Sequence, residues 1–126
     1  MKVEENGEYR NVNLKDIPLM GTERFMMNQD GSDIHEEMRD GKFKDDEGNL
    51  KQYNMAIAKL VLVETGDEVT AFVGTNRTQN RNEFVVDVLK GYSDGDEFEV
   101  TKTAREYESK DGVQRIAVEF IVEKVE

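Results

Sequence analysis

GYSDGDEFEVTKTAREYESKDGVQRIAVEFIVEKV, residues 91–125, decides the fold class. Two stretches rich in Val, Ile, Phe and Thr, 97–108 and 113–125, flank Lys110-Asp111-Gly112, the turn chemistry that reverses a strand on itself. They predict a hairpin. Just upstream, NEFVVDVLKGY (82–92) spaces Phe84, Val85, Val88 and Leu89 as a helix does, with Asn82 as N-cap and Gly91 as the C-terminal stop. Its valines make a strand the second reading of the same residues.

Working toward the N-terminus, QYNMAIAKLVLVE (52–64) is apolar on both faces near its centre and predicts one strong strand. Thr65-Gly66-Asp67 reads as a hairpin turn, and EVTAFVGT (68–75) as the returning strand. GEYRNVNLKDIPL (7–19) alternates as a strand with Tyr9, Val12, Leu14 and Ile17 inward, and Pro18 restricts it to an edge or to the strand's end. Residues 20–50 are rich in acids and punctuated by glycines, and they read as a long, mostly solvent-facing loop or insertion, either functional or partly ordered. Inside it, SDIHEEMRD predicts a helical turn or two, capped by Ser32 or Asp33 with Glu36 or Glu37 closing a capping box. Met20, Met26, Met27 and Met38, with Phe25, give the segment adaptable apolar surface. Packing against the rest of the domain is the first reading of that surface, and a protein contact is the second.

The chain of 126 residues suits a single domain with its own core. Without cysteine it can form neither disulfides nor thiolate metal sites. No apolar run approaches the ~20 residues of a membrane helix, and the polar start MKVEENGEYR does not resemble a signal peptide. A soluble, cytoplasmic protein that avoids membranes is the expectation. The net charge of −11 repels nucleic acid and anionic lipid on average, and neither half of the chain is basic. A nucleic-acid site must therefore be a local groove.

The predicted order is a strand, a long loop, two strands, a helix and two strands. Five strands with one helix between the third and fourth resembles the OB-fold, a small five-stranded Greek-key barrel. The wording after the helix, Ser93-Asp94-Gly95-Asp96 followed by Phe98 and Val100, is similar to the glycine-aspartate step where many OB domains enter their fourth strand, and IAVEFIVEKV (116–125) is similar to their closing strand. Among OB-folds, the single-stranded-DNA-binding proteins of archaea, phages and viruses are the nearest likeness. That resemblance implies a mainly β domain over 1–126 that stacks bases on aromatic rings and follows the backbone with basic side chains.

TAFVGTNRTQNRN (70–82) holds no acid, and it gathers Phe72, Asn76, Arg77 and Arg81 with further amides. Arginines neutralise phosphate and stack on bases, while amides donate to phosphate or base edges. Lys59 interrupts the most apolar strand and must reach the surface or a partner. The two closing strands add Lys102, Arg105, Tyr107 and Arg115. These nine residues are the candidate site, with Lys59, Phe72 and Arg77 expected on one outer face. Each also reads as an ordinary loop residue or cross-strand charge.

Other chemistry finds little footing. His35 is followed directly by Glu36 and Glu37, a spacing that does not bring ligands to one helix face. Counting a calcium loop from Asn28 puts Asp33 where glycine belongs and Arg39 where the last carboxylate belongs. GTNRTQNRN lacks the glycines and Lys-Ser/Thr of a phosphate loop, and no nucleophile-base set stands out. We therefore expect no enzyme, no metal and no cofactor. The first functional expectation is non-specific binding of single-stranded nucleic acid, DNA foremost, with pairing of two copies adding avidity and a replication protein as a further partner. The second is an acidic β-barrel adaptor or inhibitor that binds protein, its charge imitating a phosphate backbone.

Overall fold

The structure is a computed structural model that describes residues 4–5, 8–80 and 82–126, with side chains described from residue 11 onward. Its strands are β1 (Glu4–Glu5), β2 (Glu8–Asn13), β3 (Thr22–Met27), β4 (Met38–Lys44), β5 (Leu50–Asn54), β6 (Ile57–Leu62), β7 (Asp67–Phe72), β8 (Glu97–Glu108) and β9 (Gln114–Lys124), with one helix, α1 (Val85–Leu89), between β7 and β8. A seven-stranded sheet runs in the order β1-β2-β7-β6-β3-β8-β9, and β4 and β5 form a separate hairpin. The protein is thus mainly β, as expected, but it is not a closed five-stranded barrel. Beyond the ladders, a parallel bridge joins Thr78 to Phe120, where the Phe120 N–H donates to the Arg77 carbonyl at 2.9 Å.

The sharpest correction concerns 20–50, which is no loop. It supplies β3, an interior strand of the large sheet, antiparallel to β6 on one side and to β8 on the other. Phe25 and Met27 point inward and are fully buried, and Phe25 stacks on Phe98 with ring centroids 5.8 Å apart. The rest of the segment forms β4 and half of the β4–β5 hairpin. SDIHEEMRD is not the expected helical turn. A 3-10 turn covers Gly31–Asp33, His35 bridges to Ile57, and β4 follows. Of the four methionines, Met27 packs in the core while Met20 and Met38 stay exposed.

The stretch 52–64 is two strands rather than one. The chain leaves the hairpin after Asn54, turns through Met55 and the buried Ala56, and enters the sheet as β6. Gly74 permits this crossing: a Cβ on it would lie 2.9 Å from the Ala56 nitrogen and closer still to the Asn54 carbonyl oxygen. The N-terminal strand also differs from expectation. β2 ends at Asn13 and lies parallel to β7, on the side away from β6, while Leu14 and Ile17, just past it, are buried as their alternation predicts. The Tyr9 side chain lies outside the described residues.

The C-terminal half matches its reading closely. β6 and β7 pair from Ile57–Phe72 to Leu62–Asp67, and the turn uses Gly66 at φ 76°. β8 and β9 pair without interruption from Phe98–Lys124 to Glu108–Gln114, with Gly112 at φ 79° in the turn. The helix is shorter than its pattern and is capped by Phe84, not Asn82. The Phe84 N–H donates to Asp87 Oδ2 at 2.9 Å, which satisfies one of the amides a helix start leaves open.

Candidate functional site

Three hollows with shared lining residues lie across the end of β7, the β4–β5 hairpin and the outer half of β8 and β9, and together they are the candidate groove. The first is lined by Lys15, Tyr53, Phe72 and Asn76 among others, and the second by Gln52, Tyr53, Arg77, Phe84 and Asp87 among others. Tyr53, Asn54, Gly74 and Thr75 are common to both. The third is lined by Arg77, Arg105, Tyr107, Glu108, Ala117 and Glu119, and shares Arg77 with the second. Aromatic rings therefore recur along the path at Phe72, Tyr53, Phe84 and Tyr107, and cations at Lys15, Arg77 and Arg105.

Local structure sets each of these groups. Asn76 is buried and its Nδ2 donates to the Phe72 carbonyl at 2.9 Å, while the Val85 N–H donates to the Asn76 carbonyl at 2.8 Å. This ties the end of β7 to the start of α1. One of the two side-chain amide hydrogens of Asn76 is thus spent inside the fold. The turn holds Arg77 outward, with its guanidinium carbon 4.9 Å from the centre of the Phe84 ring, an arrangement in which cation and ring attract. Arg105 forms a two-pronged pair with Glu119, Nε to Oε1 at 3.2 Å and Nη2 to Oε2 at 3.1 Å. Those hydrogen bonds and the carboxylate's charge push the Arg105 guanidinium above its ordinary value. Arg105 also lies 5.8 Å from the Tyr107 ring centre.

Of the nine sequence candidates, Phe72, Arg77, Arg105 and Tyr107 converge on the groove, with Asn76 in its wall. Arg81 lies outside the described residues. Lys59 shares the outer sheet face with Phe72, since it pairs with Thr70 beside the Ile57–Phe72 pair, but it does not line the groove. Lys102 is drawn behind it, its Nζ donating to the Lys15 carbonyl at 2.6 Å. Arg115 faces Tyr107 across the ladder and its guanidinium lies 3.6 Å from Asp111, again off the groove. Lys59 and Phe72 thus share the expected outer face, but only Phe72 and Arg77 line the hollows.

Of the groove's aromatic and basic residues, three were not among the candidates: Lys15, Tyr53 and Phe84. Phe84 carried a signal, helical spacing, that points to the core, and it does pack partly there. Tyr53 reaches the groove only because β4 and β5 pair, and that pairing has no mark in the sequence. Charges along the groove are balanced. Asp87, Glu108 and Glu119 stand among its cations, in contrast to the strongly negative whole. Among the described residues no cluster of His, Asp and Glu is arranged to hold a metal ion. No protein-family model matches the chain, and neither does any curated protein or solved structure.

Proposed function

We propose that this protein binds single-stranded nucleic acid, DNA foremost, along this groove and without sequence preference. The observation that carries the reading is the gathering of Phe72, Tyr53, Phe84 and Tyr107 with Lys15, Arg77 and Arg105 in three hollows that share lining residues. Bases would lie against the rings and phosphates against the cations, a scheme that tolerates any base because every base has a π-face. The acids elsewhere on the surface would discourage binding to duplex. No catalytic step and no cofactor is part of this reading.

Strand order lends support. β3 is flanked by β6 and β8, with β7 and β9 beyond them, α1 between β7 and β8, and a parallel bridge from Thr78 to Phe120. An OB-like relationship of these five strands is the fold-level part of the proposal, without ladder closure. In that order the groove falls between the loop joining the first two strands, here elaborated into the β4–β5 hairpin, and the loop joining the last two, where OB-folds bind oligonucleotides.

A second reading, an acidic partner for another protein, draws on a different observation. The β4–β5 hairpin exposes Met38, Phe43 and Leu50, with Phe43 at 77%, on a molecule of net charge −11. Fluorescence anisotropy of labelled oligo-dT of about 30 nucleotides, at two salt concentrations with duplex as control, separates the two. The groove reading expects micromolar or tighter binding that prefers the single strand, weakens with salt, and falls roughly tenfold in Arg77→Ala and Tyr53→Ala. No binding at low salt would reject it and leave the protein-partner reading standing.

A further inference from the structure

On β9 the Phe120 N–H points away from β8, because it donates to the Arg77 carbonyl. The Val113 carbonyl points the other way, accepting the Ser109 N–H at 2.9 Å. The β8–β9 register is unbroken from Gln114 to Lys124, so the alternation of an antiparallel strand holds throughout. Gln114, Ile116 and Val118 therefore turn both N–H and C=O outward, and among the described residues no strand pairs with them there. Such an edge is ordinarily guarded by charge or proline. Here its outward residues are Gln114, Ile116, 67% exposed, and Val118, 40% exposed, and the acids Glu108 and Glu106 and the exposed Ala104 stand opposite them one strand further in, on β8.

We propose that a second copy of this chain covers that edge, the two β9 strands pairing antiparallel about a two-fold axis at Ile116. The sequence is self-complementary in this register. Ile116 faces Ile116 of the second copy and Gln114 faces its Val118, so about six backbone hydrogen bonds form and the apolar side chains meet on one face. On the other face Arg115 meets the second copy's Ala117 and lies diagonal to its Glu119, within reach of long side chains. No like charges stand directly opposite. The pairing stops short of Phe120, so the Arg77–Phe120 bond is kept. The face bearing Arg105, Tyr107 and Ala117 becomes continuous across the axis, which sets the two grooves side by side.

Sedimentation velocity tests this up to about 1 mM protein, at low and high salt. We expect twice the 14.5 kDa of one chain at the upper concentrations, more so in salt, because each copy carries −11 and salt screens the repulsion. Ile116→Lys should restore the monomer while melting within a few degrees of the parent. Val118→Lys makes the same test should the first variant fold poorly. The chain has no cysteine, so Ile116→Cys should cross-link under mild oxidation, since facing strand residues sit about 5.5 Å apart, within disulfide reach. Arg115→Cys, which faces Ala117, should lag at least tenfold. A single-chain mass at 1 mM in high salt, a dimer that survives both lysine variants, or equal cross-linking at the two positions would each overturn the proposal.

Discussion

Gly74→Ala isolates a single steric demand. Gly74 does not use left-handed backbone, so alanine meets no conformational penalty there, only the space taken by the crossing chain. The new carbon would sit 2.9 Å from the Asn54 carbonyl carbon and the Ala56 nitrogen, where comfortable carbon contacts need about 3.5 Å or more. Both neighbours are backbone, which cannot swing aside as a side chain would. Relief requires the Asn54–Ala56 stretch to move off the end of β7, at a cost of about 1–3 kcal/mol for overpacking. That movement strains the bond from the Val73 N–H to the Ala56 carbonyl, 3.0 Å long, worth about 1 kcal/mol. The sum is about 2–4 kcal/mol, and at about 3–5 °C per kcal/mol for a chain of this length the melting temperature should fall by about 6–20 °C. Gly91→Ala is the control: its new carbon meets only the Val88 oxygen, at 3.5 Å, and stability should change by about 0.5 kcal/mol or less. Differential scanning calorimetry of the two variants decides the matter. A Gly74→Ala protein that melts within 2 °C of the parent would show that the crossing is not tight, and the reasoning would fail.

Phe25→Ala, at the fully buried centre of β3, should cost about 3–5 kcal/mol in urea unfolding. An exposed substitution such as Val63→Ala should cost little. Glu119→Gln removes the carboxylate that holds Arg105, so oligo-dT binding should tighten about three- to tenfold and its log–log salt slope should steepen by about 0.7 as one more phosphate is neutralised. Unchanged affinity would mean that Arg105 does not touch the strand. Glu36 is held below the ordinary carboxylate range by hydrogen bonds from Lys90 and Asn54, and Asp96 by the Ser93 backbone N–H and then Lys124. With folded values depressed, their stabilisation is complete above a pH of about 4 and is lost as pH falls through the lower folded values. Urea midpoints should therefore drop below pH 4, and Glu36→Gln should flatten part of that drop.

What could be read from the sequence was local. The β6–β7 and β8–β9 hairpins each join apolar runs through a glycine that needs positive φ, so turn and strands announce each other. β3 announced apolar side chains that pack, Phe25 and Met27, but no strand. Thr22–Met27 buries only Phe25 and Met27 deeply, carries Arg24 and Glu23, and is strand because β6 and β8 close on it from far along the chain. The break between β5 and β6 was hidden for a similar reason, since Met55–Ala56 is apolar like its neighbours and bends only where Gly74 makes room. The same division runs through the groove. Arg77, Arg105 and Tyr107 were legible as basic and aromatic residues in acid-poor or hairpin surroundings. Tyr53 was not, because a hairpin within an acidic, glycine-punctuated segment brings it there. Lys102 donates to the Lys15 carbonyl, a tertiary detail invisible to spacing.

The position of β3 also bears on how the molecule comes together in time. Its neighbours are distant: Arg24 and Glu99, which pair across the β3–β8 ladder, are 75 residues apart. The two long hairpins need only short loops to close, whereas β3 must wait until both are formed, because closing a long loop costs entropy before any contact repays it. This interior strand should thus dock late. A weakened β3 should leave the folding rate nearly untouched and hasten unfolding instead, so the lifetime of the folded state, more than its formation, rests on Phe25 and Met27.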